Sequence, residues 1–410
     1  MSKSLSVLRP ITMTMCVFIL AVGTVRAQIS KPAQKPTPPA SSGGTAKQTP
    51  APGAPLASPA LTGKELDAQG EALLQAGKYT EAIDTFSRAL KLNAKDIAAQ
   101  DGLGRAFMGA KKYSDAAKAF QAALDLNPTN PRTFALLSSA LEADDKPERA
   151  RRVLDRAIEL NPNIVGLRIQ YADTYATEKD YVGAEQAYRH ALGYAPDDPG
   201  LHLKLADTYE QMGRHTTALM EYDAVANATS QAEYLRAVSL GRSGSLAGLR
   251  RFKEAEAIVR IMLVKNAKDA DAHSGLAQIL EAADKRDEAI TEYRAALAIT
   301  PDNPILWGNL GWTQYGAGKY DDAATSSRKA LVFDPKLVYV HFNLGLIFAC
   351  QNKWKEAQAE YEAGLHDAKA ADVQAGLADV EKALGKQPAN VALRSAWDLL
   401  SRSKRVAGGE

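Results

Sequence analysis

Gly77-Lys78-Tyr79-Thr80-Glu81-Ala82 returns as Gly318-Lys319-Tyr320-Asp321-Asp322-Ala323 and again as Asn352-Lys353-Trp354-Lys355-Glu356-Ala357. The closing alanine belongs to a longer series: Ala82, Ala116, Ala150, Ala184 and Ala218, then Ala255, Ala289, Ala323 and Ala357. Successive members stand 34 residues apart, except Ala218 and Ala255, which are 37 apart. A period this strict points to a stack of like supersecondary units. It overrides the two or three domains that a length of 410 residues would otherwise suggest.

Outward from the alanine, the rest of the unit repeats too. Seven residues on comes another small residue in Ala89, Ala123, Ala157, Ala191, Ala296 and Ala330. A little further lie Asn127-Pro128, Asn161-Pro162, Ala195-Pro196, Thr300-Pro301 and Asp334-Pro335. The earlier half carries a large apolar residue and then a small one, as in Leu103-Gly104, Leu205-Ala206, Leu310-Gly311 and Leu344-Gly345. Apolar spacings of three and four mark two short amphipathic helices per unit. Leu103, Phe107, Ala116, Phe120 and Ala123 form one such buried stripe. Small residues let the two helices approach, and proline, which cannot continue a helix but fits its first turn, separates the units. One pair of short helices is marginal alone, so the copies must stack. Nine fit, starting near 63, 97, 131, 165, 199, 236, 270, 304 and 338.

This pattern resembles the tetratricopeptide repeat. The resemblance implies an all-α fold, a right-handed superhelical solenoid of nine helix–turn–helix repeats over residues 63–371. Residues 372–410, where the rhythm fails, then read as capping helices and a tail: Ala371 to Lys386, a break at Gln387-Pro388-Ala389-Asn390, and Val391 to Ser403. The excess between Ala218 and Ala255 coincides with three glycines and three serines between Ser239 and Gly248, where a bend or hinge is expected.

Residues 1–27 read as a secretory signal: Lys3 and Arg9, an apolar stretch from Ile11 to Val25, and small residues around Val25-Arg26-Ala27. The apolar stretch is short for a bilayer span, which needs roughly 20 residues. An uncleaved anchor is the alternative, and membrane contact follows only in that case. Residues 28–62 hold eight prolines and no acidic residue, the composition of a disordered tether. Removing Lys3, Arg9 and Arg26 takes the formal charge from +2 to −1, and Lys31, Lys35 and Lys47 of the tether leave −4 from Gly63 onward. That balance, without a basic stripe interleaved with aromatics, argues against nucleic acid. Cys350 alone survives processing, so no internal disulfide forms. A signal, few cysteines and alanine-rich repeats together suggest an exported bacterial protein, periplasmic or secreted.

The sequence contains no H-E-x-x-H, C-x-x-C, nucleophile elbow or P-loop lysine, and no metal or cofactor is expected. Gly241, Gly244 and Gly248 match no nucleotide loop. An enzymatic reading would rest on Cys350 with His341 or His366 as base, and nothing in the sequence aligns them. The family resemblance instead implies a groove lined by the first helix of each unit. Its second, fifth, sixth, ninth and twelfth residues would face a ligand. In the eighth unit these are Ile305, Gly308, Asn309, Trp312 and Tyr315; in the ninth, Tyr339, Phe342, Asn343, Leu346 and Ala349. Asn309 and Asn343 could grip a peptide backbone, since an amide both donates and accepts. Trp312, Tyr315, Tyr339 and Phe342 could anchor its apolar groups. The expectation is a non-catalytic scaffold for protein or peptide partners in the bacterial envelope. A scaffold for polysaccharide export, or a glycan site using the same aromatics, is the alternative, and an enzyme accessory a remote one. The same residues would also suit packing, and the terminal helices would decide that by covering the patch or leaving it open.

Overall fold

The computed structural model describes residues 61–407. The signal and nearly all of the tether lie outside them. The described residues form twenty α-helices and no strand, and none of these helices is long and apolar enough to cross a membrane. They fall into two compact units, one ending at Arg214 and one beginning at His215. The first holds α1 (Gly63–Gln75), α2 (Tyr79–Leu92), α3 (Ile97–Gly109), α4 (Tyr113–Leu126), α5 (Pro131–Ala143), α6 (Pro147–Leu160), α7 (Val165–Thr177), α8 (Tyr181–Leu192) and α9 (Pro199–Gln211). The second holds α10 (His215–Ala228), α11 (Ala232–Gly248), α12 (Phe252–Lys265), α13 (Ala270–Ala282), α14 (Arg286–Ile299), α15 (Pro304–Gly316), α16 (Tyr320–Phe333), α17 (Val338–Cys350), α18 (Trp354–Asp367), α19 (Ala370–Lys386) and α20 (Val391–Ala407).

Two local devices write the helix boundaries. Helices α1, α3, α5, α9, α13 and α15 start on side-chain caps that satisfy otherwise orphaned amides. Asp96 accepts from the amides of Ala98 and Ala99, and Asn303 from those of Ile305 and Leu306. Proline fills the first helical position at Pro131, Pro199 and Pro304, where no amide is missed. The turn inside each helix pair is a Schellman closure. Lys78 N donates to Leu73 O and Gly77 N to Leu74 O, and the arrangement recurs at Lys319–Gln314 and Gly318–Tyr315. It needs one left-handed residue per turn, and nine occur: Gly77, Lys111, Asp145, Lys179, Gly213, Arg250, Asp284, Gly318 and Asn352. Only three are the glycine that such a backbone favours.

All nine alanines of the opening series are 0% exposed. Those of pairs lying within one compact unit sit where the paired helices pack, and a larger side chain there would force the helices apart. Four residues on, a large side chain fills the pair in most units, as Phe86, Phe120, Leu154, Tyr188, Tyr293 and Tyr361 do. The eighth unit has Ser327 there instead. α15 and α16 close onto it, so that a Cβ on Gly311 would stand 2.6 Å from the Ser327 hydroxyl.

The helix is not interrupted at Ser239–Gly248. α11 runs unbroken for 17 residues, beginning at Ala232, four residues before the start expected near 236. The extra length extends the helix at its N-terminus. The glycines are where neighbouring rings rest: a Cβ on Gly241 would lie 2.2 Å from the Tyr222 ring, and one on Gly248 2.5 Å from His215. Ring burial there outweighs the roughly 1 kcal/mol that each glycine costs a helix.

The last two helices break the pattern of stacking. α20 rests on α17 and α18, and α19 lies against α17 and α20. A recurring bond identifies α20. Near the start of several odd-numbered helices a side-chain nitrogen meets the carbonyl six residues back: Arg168 with Pro162, His202 with Pro196, Trp307 with Pro301, His341 with Pro335. Arg394 makes the same bond to Pro388 at 2.7 Å. α20 is thus built as the first helix of a further unit, with α19 inserted before it. Asn390 fastens this arrangement, donating to the carbonyls of Ala349 and Cys350 at 3.0 and 3.3 Å.

Candidate functional site

The residues singled out on α15 and α17 divide. On α15, Asn309, Trp312 and Tyr315 are half-buried. The Trp312 and Tyr315 rings lie 5.2 Å apart at 33°, and Tyr320 of α16 continues the cluster 5.8 Å from Tyr315. The side-chain amide of Asn309 has no hydrogen-bond partner among the described residues; its backbone carbonyl accepts from Thr313. Tyr339, opening α17, lies against Gly308, where an added Cβ would meet the tyrosine oxygen at 2.9 Å. Its hydroxyl is buried without a partner, and burial pushes it up to about 12.

Phe342 is a core residue, contrary to its expected place on the ligand face. It is 3% exposed, and its ring lies 5.9 Å from that of Tyr361. A Cβ on Gly364 of α18 or Gly376 of α19 would stand 2.7 Å from it. The two glycines make the slot into which the phenylalanine fits. Leu346 and Ala349 are buried as well. Asn343 keeps 8% exposure, with no hydrogen-bond partner for its amide among the described residues. The terminal helices therefore cover the α17 half of the patch and leave the α15 half accessible.

Asp379, which sequence reasoning passed over, arrives with the cover. It lies on α19 near Tyr315 and Tyr361, whose phenols burial and its charge hold above their usual range. Burial raises Asp379 itself to about 6, opposed by Lys382. No repeat position announces it, because α19 is outside the repeat.

No thiol–histidine pair assembles. The Cys350 thiol donates to the Tyr315 hydroxyl at 3.8 Å, and burial pushes it up. His341 is engaged at both ring nitrogens, by Glu360 at 2.8 Å and by Pro335 O at 3.1 Å, and His366 pairs with Asp367. What this face offers is hydrogen bonding and ring contact: an open amide and an indole–phenol pair.

Profiles of the tetratricopeptide repeat match residues 68–131, 107–176, 175–241 and 285–318, together just over half of the chain. The chain belongs to the tetratricopeptide repeat family. Its all-α solenoid also superposes on the crystal structure of a tetratricopeptide repeat protein from Parabacteroides merdae. The TM-score is 0.53 with 16% identity, over 62% of this chain and 98% of that one, a likeness of fold alone. Among curated proteins, it is 34% identical over 97 residues to a peroxisomal targeting signal receptor of Candida albicans, covering 24% of this chain and 16% of the receptor. It is also 34% identical over 71 residues to the BBSome complex member BBS4 of Xenopus tropicalis, covering 17% of this chain and 14% of that protein. The chain thus matches less than a fifth of either relative.

Proposed function

We propose that this tetratricopeptide repeat protein is a non-catalytic scaffold that holds a peptide or protein partner, with its contact face on α15 and the opening of α17. The observation that carries this reading is the unused amide of Asn309 beside the half-exposed Trp312–Tyr315 pair. The amide suits a peptide backbone of any sequence, and the rings suit an apolar side chain. Asn343 belongs at the covered margin of the same face. The receptor and complex-member titles of the partial relatives agree with a binding role, without naming a partner for this chain. The basic start and apolar stretch of residues 1–27 support export, and we place the scaffold in a bacterial envelope, periplasmic or secreted.

The test is an envelope pull-down with the mature chain and with Asn309→Ala/Trp312→Ala. Capture of a protein by the parent and its loss from the variant supports the reading. Equal capture by both moves the site elsewhere. Binding of isolated envelope polysaccharide that is lost with Trp312→Ala would replace a peptide by a glycan. Export is read separately, by whether the N-terminus of the purified envelope protein begins after Ala27.

A further inference from the structure

A second feature, in the first compact unit, is independent of that face. Between α4, α5 and α6 lies a cleft of about 510 Å³. Its wall on α6 carries Arg149, Arg152 and Arg156, all exposed and none paired with a carboxylate among the described residues. By contrast Arg151, on the same helix, pairs with Glu178. The apolar lining includes Leu124, Phe134 and Val153. One carboxylate, Asp125, belongs to the lining, held by the Gln121 amide at 2.9 Å.

We propose that this cleft binds an acidic peptide segment of another protein that also carries an apolar side chain. Spacing decides the chemistry. Three residues at i, i+3 and i+7 of a helix are spread over about 10 Å at 1.5 Å per residue. A single phosphate is held by groups that converge on it, whereas a row of guanidinium groups suits several carboxylates in succession, each accepting a forked pair of bonds. The apolar lining gives a contact for an apolar side chain, which a nucleic-acid backbone would not use. The partner comes from outside this chain's tether, because residues 28–62 contain no Asp or Glu.

Fluorescence anisotropy of the full chain with a labelled peptide of alternating glutamate and leucine tests this. The expected result is saturable binding that weakens with salt and at least tenfold with Arg149→Gln/Arg152→Gln/Arg156→Gln. Glutamine keeps the helix propensity of these exposed sites, and circular dichroism of the variant checks that it is folded. Val153→Asp, placing a charge in the apolar lining, weakens binding while leaving the arginines in place. Asn309→Ala/Trp312→Ala leaves it unchanged, which separates this site from the α15 face. Failure of the peptide to bind, equal binding by the arginine variant, or equal binding of a lysine–leucine peptide overturns the proposal. So does arginine-dependent binding of phosphatidylglycerol vesicles or inorganic phosphate without binding of the peptide.

Discussion

The first helices of the eighth and ninth units present the same kind of surface to the chain and meet different fates. α15 offers Asn309, Trp312 and Tyr315, all half-buried, while α17 offers Phe342, Asn343, Leu346 and Ala349, all buried. The difference is α19. Inserted between the ninth unit and the helix that begins the next one, it supplies Gly376 as part of the slot for Phe342. An apolar residue at a ligand-facing repeat position is therefore ambiguous by itself. It becomes a binding surface or a core according to whether the chain brings its own cover.

The largest effect expected from this contrast is on stability. Phe342→Ala should cost about 3–5 kcal/mol, the usual range for emptying a buried aromatic site. Trp312→Ala should cost less, because its ring is only half-buried and part of its area is already in water. Because a solenoid can open from its ends, the measurement is hydrogen exchange across α17 to α20 as well as the global melt. Equal losses at the two positions would remove the distinction between the faces.

A narrower break separates two glycines of α19. Gly385 has nothing within 4 Å of an added Cβ, so Gly385→Ala should gain up to about 1 kcal/mol of helix propensity. Gly376→Ala puts its methyl 2.7 Å from the Phe342 ring and should lose about 1–3 kcal/mol from overpacking. If both alanines stabilise, α19 is not seated on α17 as described.

Asp379 sharpens the comparison through pH. Its folded-state value of about 6 lies above the ordinary 3.8, so the folded chain binds the proton more tightly than the unfolded one. The stability contribution is therefore greatest below about pH 4, falls as pH rises through 6, and stays low above it. The size should be about 2 kcal/mol at most, given residual contact with water. Asp379→Asn should flatten that dependence and slow exchange in α19 and α20 at pH 7. A pH profile identical to that of the parent would sink the assignment.

Much of the architecture was legible because it obeys local rules that repeat. The alanine period placed the helix pairs, since a residue that is 0% exposed where two helices touch tolerates little else. The glycines of α11 misled because helix propensity is a weak preference, reversed here by the rings of Tyr222 and His215. The candidate face was half legible. Trp312 and Tyr315 stand on it, but Phe342 reads the same whether it meets a partner or α19. Asp379 carried no signal at all. The six-residue step from Pro388 to Arg394 did carry one, matching Pro335 to His341 and Pro301 to Trp307, and it marks α20 as a repeat-type helix.

The smallest expected effect compares the left-handed turns before α12 and α18. Arg250 and Asn352 both hold positive φ, 62° and 59°, where an L side chain is strained. Arg250→Gly should relieve that strain and, after the extra chain entropy of glycine, stabilise by roughly 0.5–1 kcal/mol. Asn352→Gly starts from less strain, because asparagine tolerates this region better. It also removes the side-chain oxygen that accepts from Ala392 N at 3.4 Å, one of the ties holding α20 down. The two effects oppose, and the net change should be near zero in the global melt, with faster exchange at the start of α20. A gain for Asn352→Gly equal to that for Arg250→Gly would mean that this tie contributes nothing and that α20 is held by its apolar face, by Asn390 and by the bond from Trp397 Nε1 to Glu381.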